Sequence, residues 1–91
     1  MGLNQETVAE ALASIASTQE MEALLSELLT EAELSALNLR WELMQQLLAG
    51  KTQRAIAQDL GVSLCKVTRG NKILKRSDSI SLRLLGGNID E

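Results

Sequence analysis

A glycine set between two capping hydroxyls constrains the second half of this chain more than any other feature. Thr52 precedes the apolar spacing Ile56, Ala57 and Leu60, and Ser63 precedes a second run that carries Leu64 and Val67 inward. Ser and Thr at such positions accept a hydrogen bond from a helix's first free N–H groups, so each marks a helix start. Gly61 lies between them, where the backbone can adopt positive φ at no steric cost. Val62 puts an apolar side chain under the bend. The small Ala57 allows two helices to cross closely, and the three-residue turn Gly61-Val62-Ser63 fixes the angle between them. This is the spacing of a helix-turn-helix. Helical hairpins that bind nothing also show Gly-x-Ser turns, so the spacing alone does not assign a role.

Charge separates those readings. Met1 to Gly50 holds eight acidic residues against Arg40 alone, whereas Lys51 to Arg76 holds seven basic residues against Asp59 alone. The net charge of -3 and the pI near 4.9 conceal this division. Phosphate is neutralised by basic residues gathered on one surface, not by a chain average. The helix after Gly61 presents Cys65, Lys66, Thr68 and Arg69 outward, short polar and basic side chains that can reach base edges near a helix N-terminus. Arg54, Ser63, Leu64, Cys65, Lys66, Thr68 and Lys75 are the candidate DNA contacts, with double-stranded DNA as partner.

The first half reads as helix throughout. Val8, Leu12 and Ile15 make a stripe within Gln5 to Ser17, and Met21, Leu24, Leu25, Leu28 and Leu29 a wider face from Glu20 to Leu29. Thr30 and Glu33 form a capping box for a helix running to about Ala49 and stopping at Gly50. Along it Leu34, Leu37, Trp41, Met44 and Leu48 step by three and four, a heptad seam that favours packing against another helix; two heptads are too few for an autonomous coiled coil, so plain core packing is the alternative. A last helix is expected from about Ser79 to Leu85, before Gly86-Gly87-Asn88 and a frayed tail. With 18 Leu and 10 Ala and few strand formers, the fold class is all-α. So much apolar residue on a chain of 91 residues suggests burial between subunits, a homodimer. The expected organisation is one single domain, with a dimerisation core over 1–50, a helix-turn-helix region over 51–76, and a short helix and tail over 77–91.

With no His and Cys65 as the lone thiol, the chain has no disulfide framework, no zinc ligand set and no Ser-His or Cys-His pair, so neither a metal, a catalytic residue nor an enzyme is expected. No apolar run has membrane-spanning length, and a lone Cys suits a reducing compartment; the expected location is cytoplasmic.

The stretch Leu29 to Lys75 resembles the tryptophan operon repressor family. LTEAELSAL and LRWELMQQLLAG are similar to the entry and body of that family's central helix, TQRAIAQDLGV to its first DNA-reading helix and turn, and KVTRGNKILK to its recognition helix. Thr68-Arg69-Gly70 is the most telling part, because general helix-turn-helix domains usually place an aliphatic residue where Gly70 stands. The resemblance implies an intertwined helical homodimer with a shared core, to which Leu34, Leu37, Trp41, Met44 and Leu48 would contribute. It also implies L-tryptophan as corepressor, with no other cofactor, bound between that core and the helix-turn-helix. Arg40 and Arg69 fall at the positions whose guanidinium groups hold the indole, Thr30, Leu29 and Gly70 at other pocket positions. Planar guanidinium suits both stacking on a ring and pairing with a carboxylate.

The chain departs from the family at Asn71-Lys72-Ile73, where some members place a pocket hydroxyl, and at Trp41, which is bulkier than the aliphatic residue expected. The expected function is a tryptophan-responsive, sequence-specific transcriptional repressor of tryptophan biosynthesis or transport genes. The alternative is a repressor of the same fold that is ligand-independent or senses another small molecule. A protein-interaction module using the heptad seam without DNA is a further class, and the basic segment weighs against it.

Overall fold

The computed structural model of the chain describes residues 7–86. Among these residues it holds six helices and no strand: α1 Val8–Ala13, α2 Thr18–Leu28, α3 Glu31–Leu48, α4 Gln53–Leu60, α5 Leu64–Leu74 and α6 Ile80–Leu84. The chain is all-helical, as its composition implies. It divides into two compact units, residues 1–35 and 36–91, with the boundary inside α3.

In the first unit, capping decides where each helix begins. The Thr7 hydroxyl accepts from the Glu10 N–H at 3.2 Å, and the Thr7 N–H donates back to Glu10 Oε1 at 2.8 Å, a reciprocal box that opens α1. The stripe from Gln5 to Ser17 overstates this helix, which ends at Ala13. Ser14 turns its hydroxyl back to the Ala11 carbonyl at 2.7 Å, and Ser17 is extended at φ -107 and ψ 131 so that it can cap α2. A cap residue has non-helical backbone angles, so no helix continues through it. The expected start at Gln5 lies outside the described residues, as do Gly87, Asn88 and the tail. With Ser17 as its cap, α2 begins at Thr18 rather than Glu20, and Leu29 leaves it extended at φ -114 and ψ 146. Thr30 and Glu33 form the box expected of them, with bonds of 2.9 and 3.1 Å. No residue of α1 or α2 is buried.

The second unit has a core. α3 closes on Gly50, whose φ of 96 is the left-handed region that glycine tolerates. There the Lys51 N–H reaches the Gln46 carbonyl and the Gly50 N–H the Leu47 carbonyl, both at 3.1 Å, which satisfies two otherwise orphaned acceptors. Leu43 of α3, Ile56 of α4 and Val67 of α5 are fully buried together, with Met44, Leu47, Ala57, Leu60 and Val62 packed around them. Each such side chain contributes about 1.5–3 kcal/mol by leaving water. α6 packs against α5, where Leu74 and the cap residue Ser79 are buried. α3 therefore meets α4 and α5 through Leu43, Met44 and Leu47. On the heptad seam, by contrast, Leu37, Trp41 and Leu48 are exposed in the single chain.

Candidate functional site

α4 and α5 are fixed to each other by local chemistry at both ends of their connection. Thr52 caps α4 through the Ala55 N–H at 3.1 Å, and Ser63 caps α5 through the Lys66 N–H at 3.2 Å. Between them Gly61 takes φ 66 and ψ 33, and the Val62 N–H closes the turn on the Ala57 carbonyl at 3.1 Å. A further bond joins the helices directly. The Thr68 hydroxyl donates to Gln53 Oε1 at 2.9 Å, half-buried between α5 and the first residue of α4. Thr68 is thus engaged internally, which the sequence reading of an outward-facing hydroxyl did not anticipate; the pair lies too far apart in sequence for a local rule to reveal it.

The remaining candidate DNA contacts are exposed: Arg54, Ser63, Leu64, Cys65, Lys66 and Lys75. Leu64, expected to point inward with Val67, instead lies at the first residue of α5 and is 45% exposed. Lys51 forms an ion pair with Asp59, the one acidic residue of the basic segment, and Arg76 pairs with Asp78 at 3.4 Å. Arg54, Lys66, Arg69, Lys72 and Lys75 have no such partner among the described residues. Their charge stays directed at solvent, where a polyanion would meet it. A groove of 590 Å³ along α5 is lined by Leu64, Cys65, Thr68, Arg69, Lys72, Ile73 and Arg76. Lys72 and Arg76 were not singled out in the sequence; the step of three from Arg69 to Lys72 and of four from Lys72 to Arg76 was the available signal.

The other side of α5 meets α3 at Gly70. A Cβ there would fall 2.6 Å from Leu43 Cδ1, so only glycine lets the helices approach this closely. That crossing brings two cations of distant sequence origin to one place. Arg40 of α3 and Arg69 of α5 line a cleft of 470 Å³ with Leu37, Asn38, Trp41, Met44, Ile73 and Ser81. They also line an adjoining pocket of 50 Å³ with Leu43, Met44, Lys66, Gly70 and Ile73. The larger volume is that of an ordinary small-molecule site. Among the described residues no carboxylate lines either space, so the cleft favours an anion, and guanidinium groups can hold a carboxylate while stacking on a ring. Leu29 and Thr30 belong to the first unit, where Leu29 ends α2 and Thr30 caps α3.

The family described as Trp repressor protein matches residues 4–84, nearly the whole chain and every helix of it. The chain belongs to the Trp repressor family. That family is one of transcription regulators, not of enzymes. Among its relatives, a Trp operon repressor homolog of Vibrio campbellii is 37% identical over 76 residues, which span 81% of this chain and 76% of that protein. A Trp operon repressor homolog of Vibrio parahaemolyticus is 37% identical over 71 residues, 77% of this chain and 69% of that protein. No solved structure matches the chain significantly. Among the described residues no helix is long and apolar enough to cross a membrane, and no cluster of His, Cys, Asp or Glu is placed to hold a metal.

Proposed function

We propose that this member of the Trp repressor family is a homodimeric helix-turn-helix repressor whose affinity for operator DNA rises when L-tryptophan binds. One observation carries the reading: Arg40 and Arg69, on different helices, line a single cleft with apolar walls. A ligand held there bridges α3 to α5, the helix whose outer face carries the basic groove with Cys65, Lys72 and Arg76. Its carboxylate pairs with guanidinium and its indole stacks between the two planes. Gly70 lines the adjoining pocket, and family resemblance makes Leu29 and Thr30 ligand contacts.

Coupling follows from position. The ligand prefers the arrangement in which both α5 helices of the dimer match successive major grooves, about 34 Å apart, and so raises the population of that arrangement. Arg54, Ser63, Leu64, Cys65, Lys66, Thr68 and Lys75 face the DNA in this reading, with Thr68 held by Gln53 rather than free to search for a base. Dimerisation is supported by the burial pattern. α1 and α2 hold no buried side chain, and Leu37 and Leu48 leave one side of α3 uncovered, which a second copy would cover. The proposed division keeps a dimerisation core over 1–50, the DNA-reading pair over 51–76 and a terminal helix over 77–91, in a cytoplasmic protein.

Calorimetry with L-tryptophan tests the reading. Saturable heat in the unaltered protein that disappears in Arg40→Ala supports it; no heat at millimolar ligand overturns it. Ile73 favours a second reading, since its side chain lines both spaces without a hydrogen-bonding group. In that case the same fold represses without tryptophan or responds to another small molecule, and DNA binding would persist where the calorimeter records nothing.

A further inference from the structure

Trp41 is the only aromatic side chain in the chain, it is 37% exposed, and it lines the same cleft as Arg40 and Arg69. We propose that Trp41 is a specificity-determining contact of this cleft, its indole forming the wall on which the ring of an aromatic carboxylate packs. The proposal rests on reading the Arg40–Arg69 cleft as the effector site and adds to it a residue that the heptad pattern had assigned to subunit packing.

Among the described residues the ionisable side chains lining the cleft are both guanidinium groups, which selects an anion. Met44 and Ile73 supply apolar surface, and the Met44 thioether is a soft group that packs well against rings. An aliphatic acid would satisfy charge and burial equally well. Trp41 breaks that tie, because aromatic pairs in offset or edge-to-face contact gain affinity beyond their buried area, roughly 2- to 12-fold. A side chain of that size left half-open to solvent inside a concave site also gains most from a flat partner.

The test uses the full chain and two probes of equal length, 3-phenylpropionate and 3-cyclohexylpropionate. The cyclohexyl acid is the more hydrophobic, so a preference for the phenyl acid reports a ring contact and not apolar burial. Titrations should show the phenyl acid binding roughly 2- to 12-fold tighter in the unaltered protein. Trp41→Phe should keep that ratio and Trp41→Leu should erase it, with sedimentation confirming that each variant assembles as the unaltered protein does. An unchanged ratio in Trp41→Leu overturns the proposal. Should that variant fail to fold, emission of Trp41 in the unaltered protein decides: saturable quenching by the phenyl acid, lost in Arg40→Ala, supports the wall, and unchanged emission at saturation overturns it. The two readings fail differently. If L-tryptophan and both acids all fail to bind, the effector site falls and Trp41 with it; if ligands bind without regard to Trp41, only the present proposal falls.

Discussion

Replacing Gly70 with alanine sets two effects of opposite sign against each other. Glycine inside a helix costs about 1 kcal/mol relative to alanine, so at an open helical position the substitution would stabilise by that amount. Gly70 is not open. The new methyl would sit 2.6 Å from Leu43 Cδ1, 3.5 Å from Met44 Cγ and 3.6 Å from Leu47 Cδ1. Leu43 is only 2% exposed, so its methyl either yields into the adjoining 50 Å³ pocket, shrinking it, or pushes the helices apart. Overpacking of this kind costs about 1–3 kcal/mol, which leaves a net loss of up to ~2 kcal/mol. Urea unfolding at fixed protomer concentration should show a lower midpoint with an unchanged slope. Leu43→Ala alone should cost about 2–5 kcal/mol, and in that background Gly70→Ala should become neutral or stabilising, because the obstructing methyl is gone. A Gly70→Ala variant more stable than the unaltered protein would refute the close approach of α5 to α3. Either response alters the site, the first by shrinking the pocket and the second by carrying Arg69 away from Arg40, so L-tryptophan binding should weaken in step.

Arg40→Ala should abolish the ligand-dependent rise in DNA affinity while ligand-free DNA binding, measured by anisotropy, stays within about twofold, since Arg40 lies outside the basic segment. Lys75→Ala should lower the slope of log affinity against log salt by about one unit, with little change in preference among sequences. Leu37→Lys or Met44→Glu should unfold the protein as they dissociate it; a folded monomer at micromolar concentration in sedimentation would contradict the shared core.

Much of the second unit was legible because its rules are local. Thr52, Gly61 and Ser63 act on residues three or four away, as do Thr30 and Glu33, so the sequence displays cause and effect together. The first helix was overextended for the same reason in reverse: Val8, Leu12 and Ile15 keep helical spacing, yet Ser17 turns extended to cap α2 and ends that pattern early. Leu43 was missed because the heptad seam on α3 drew attention to Leu37, Trp41 and Leu48, while the helix uses a neighbouring face, which shares only Met44 with the seam, for its own chain. The site was partly visible. Arg40 and Arg69 came from family resemblance, not from spacing, since no local rule links residues on two helices. Gly70 was read as a pocket position, and the structure adds a packing reason: α5 crosses α3 there. The Thr68–Gln53 bond and the place of Trp41 in the cleft depend on tertiary packing alone.

The central claim is that the Arg40–Arg69 cleft couples a small ligand to DNA. Its most direct test is the affinity of the unaltered protein for a DNA fragment it has itself selected from random sequence, measured with and without saturating L-tryptophan at one salt concentration. The account predicts a rise of roughly 5- to 150-fold, the range of ordinary allosteric coupling. An affinity that does not change when L-tryptophan is added would contradict it.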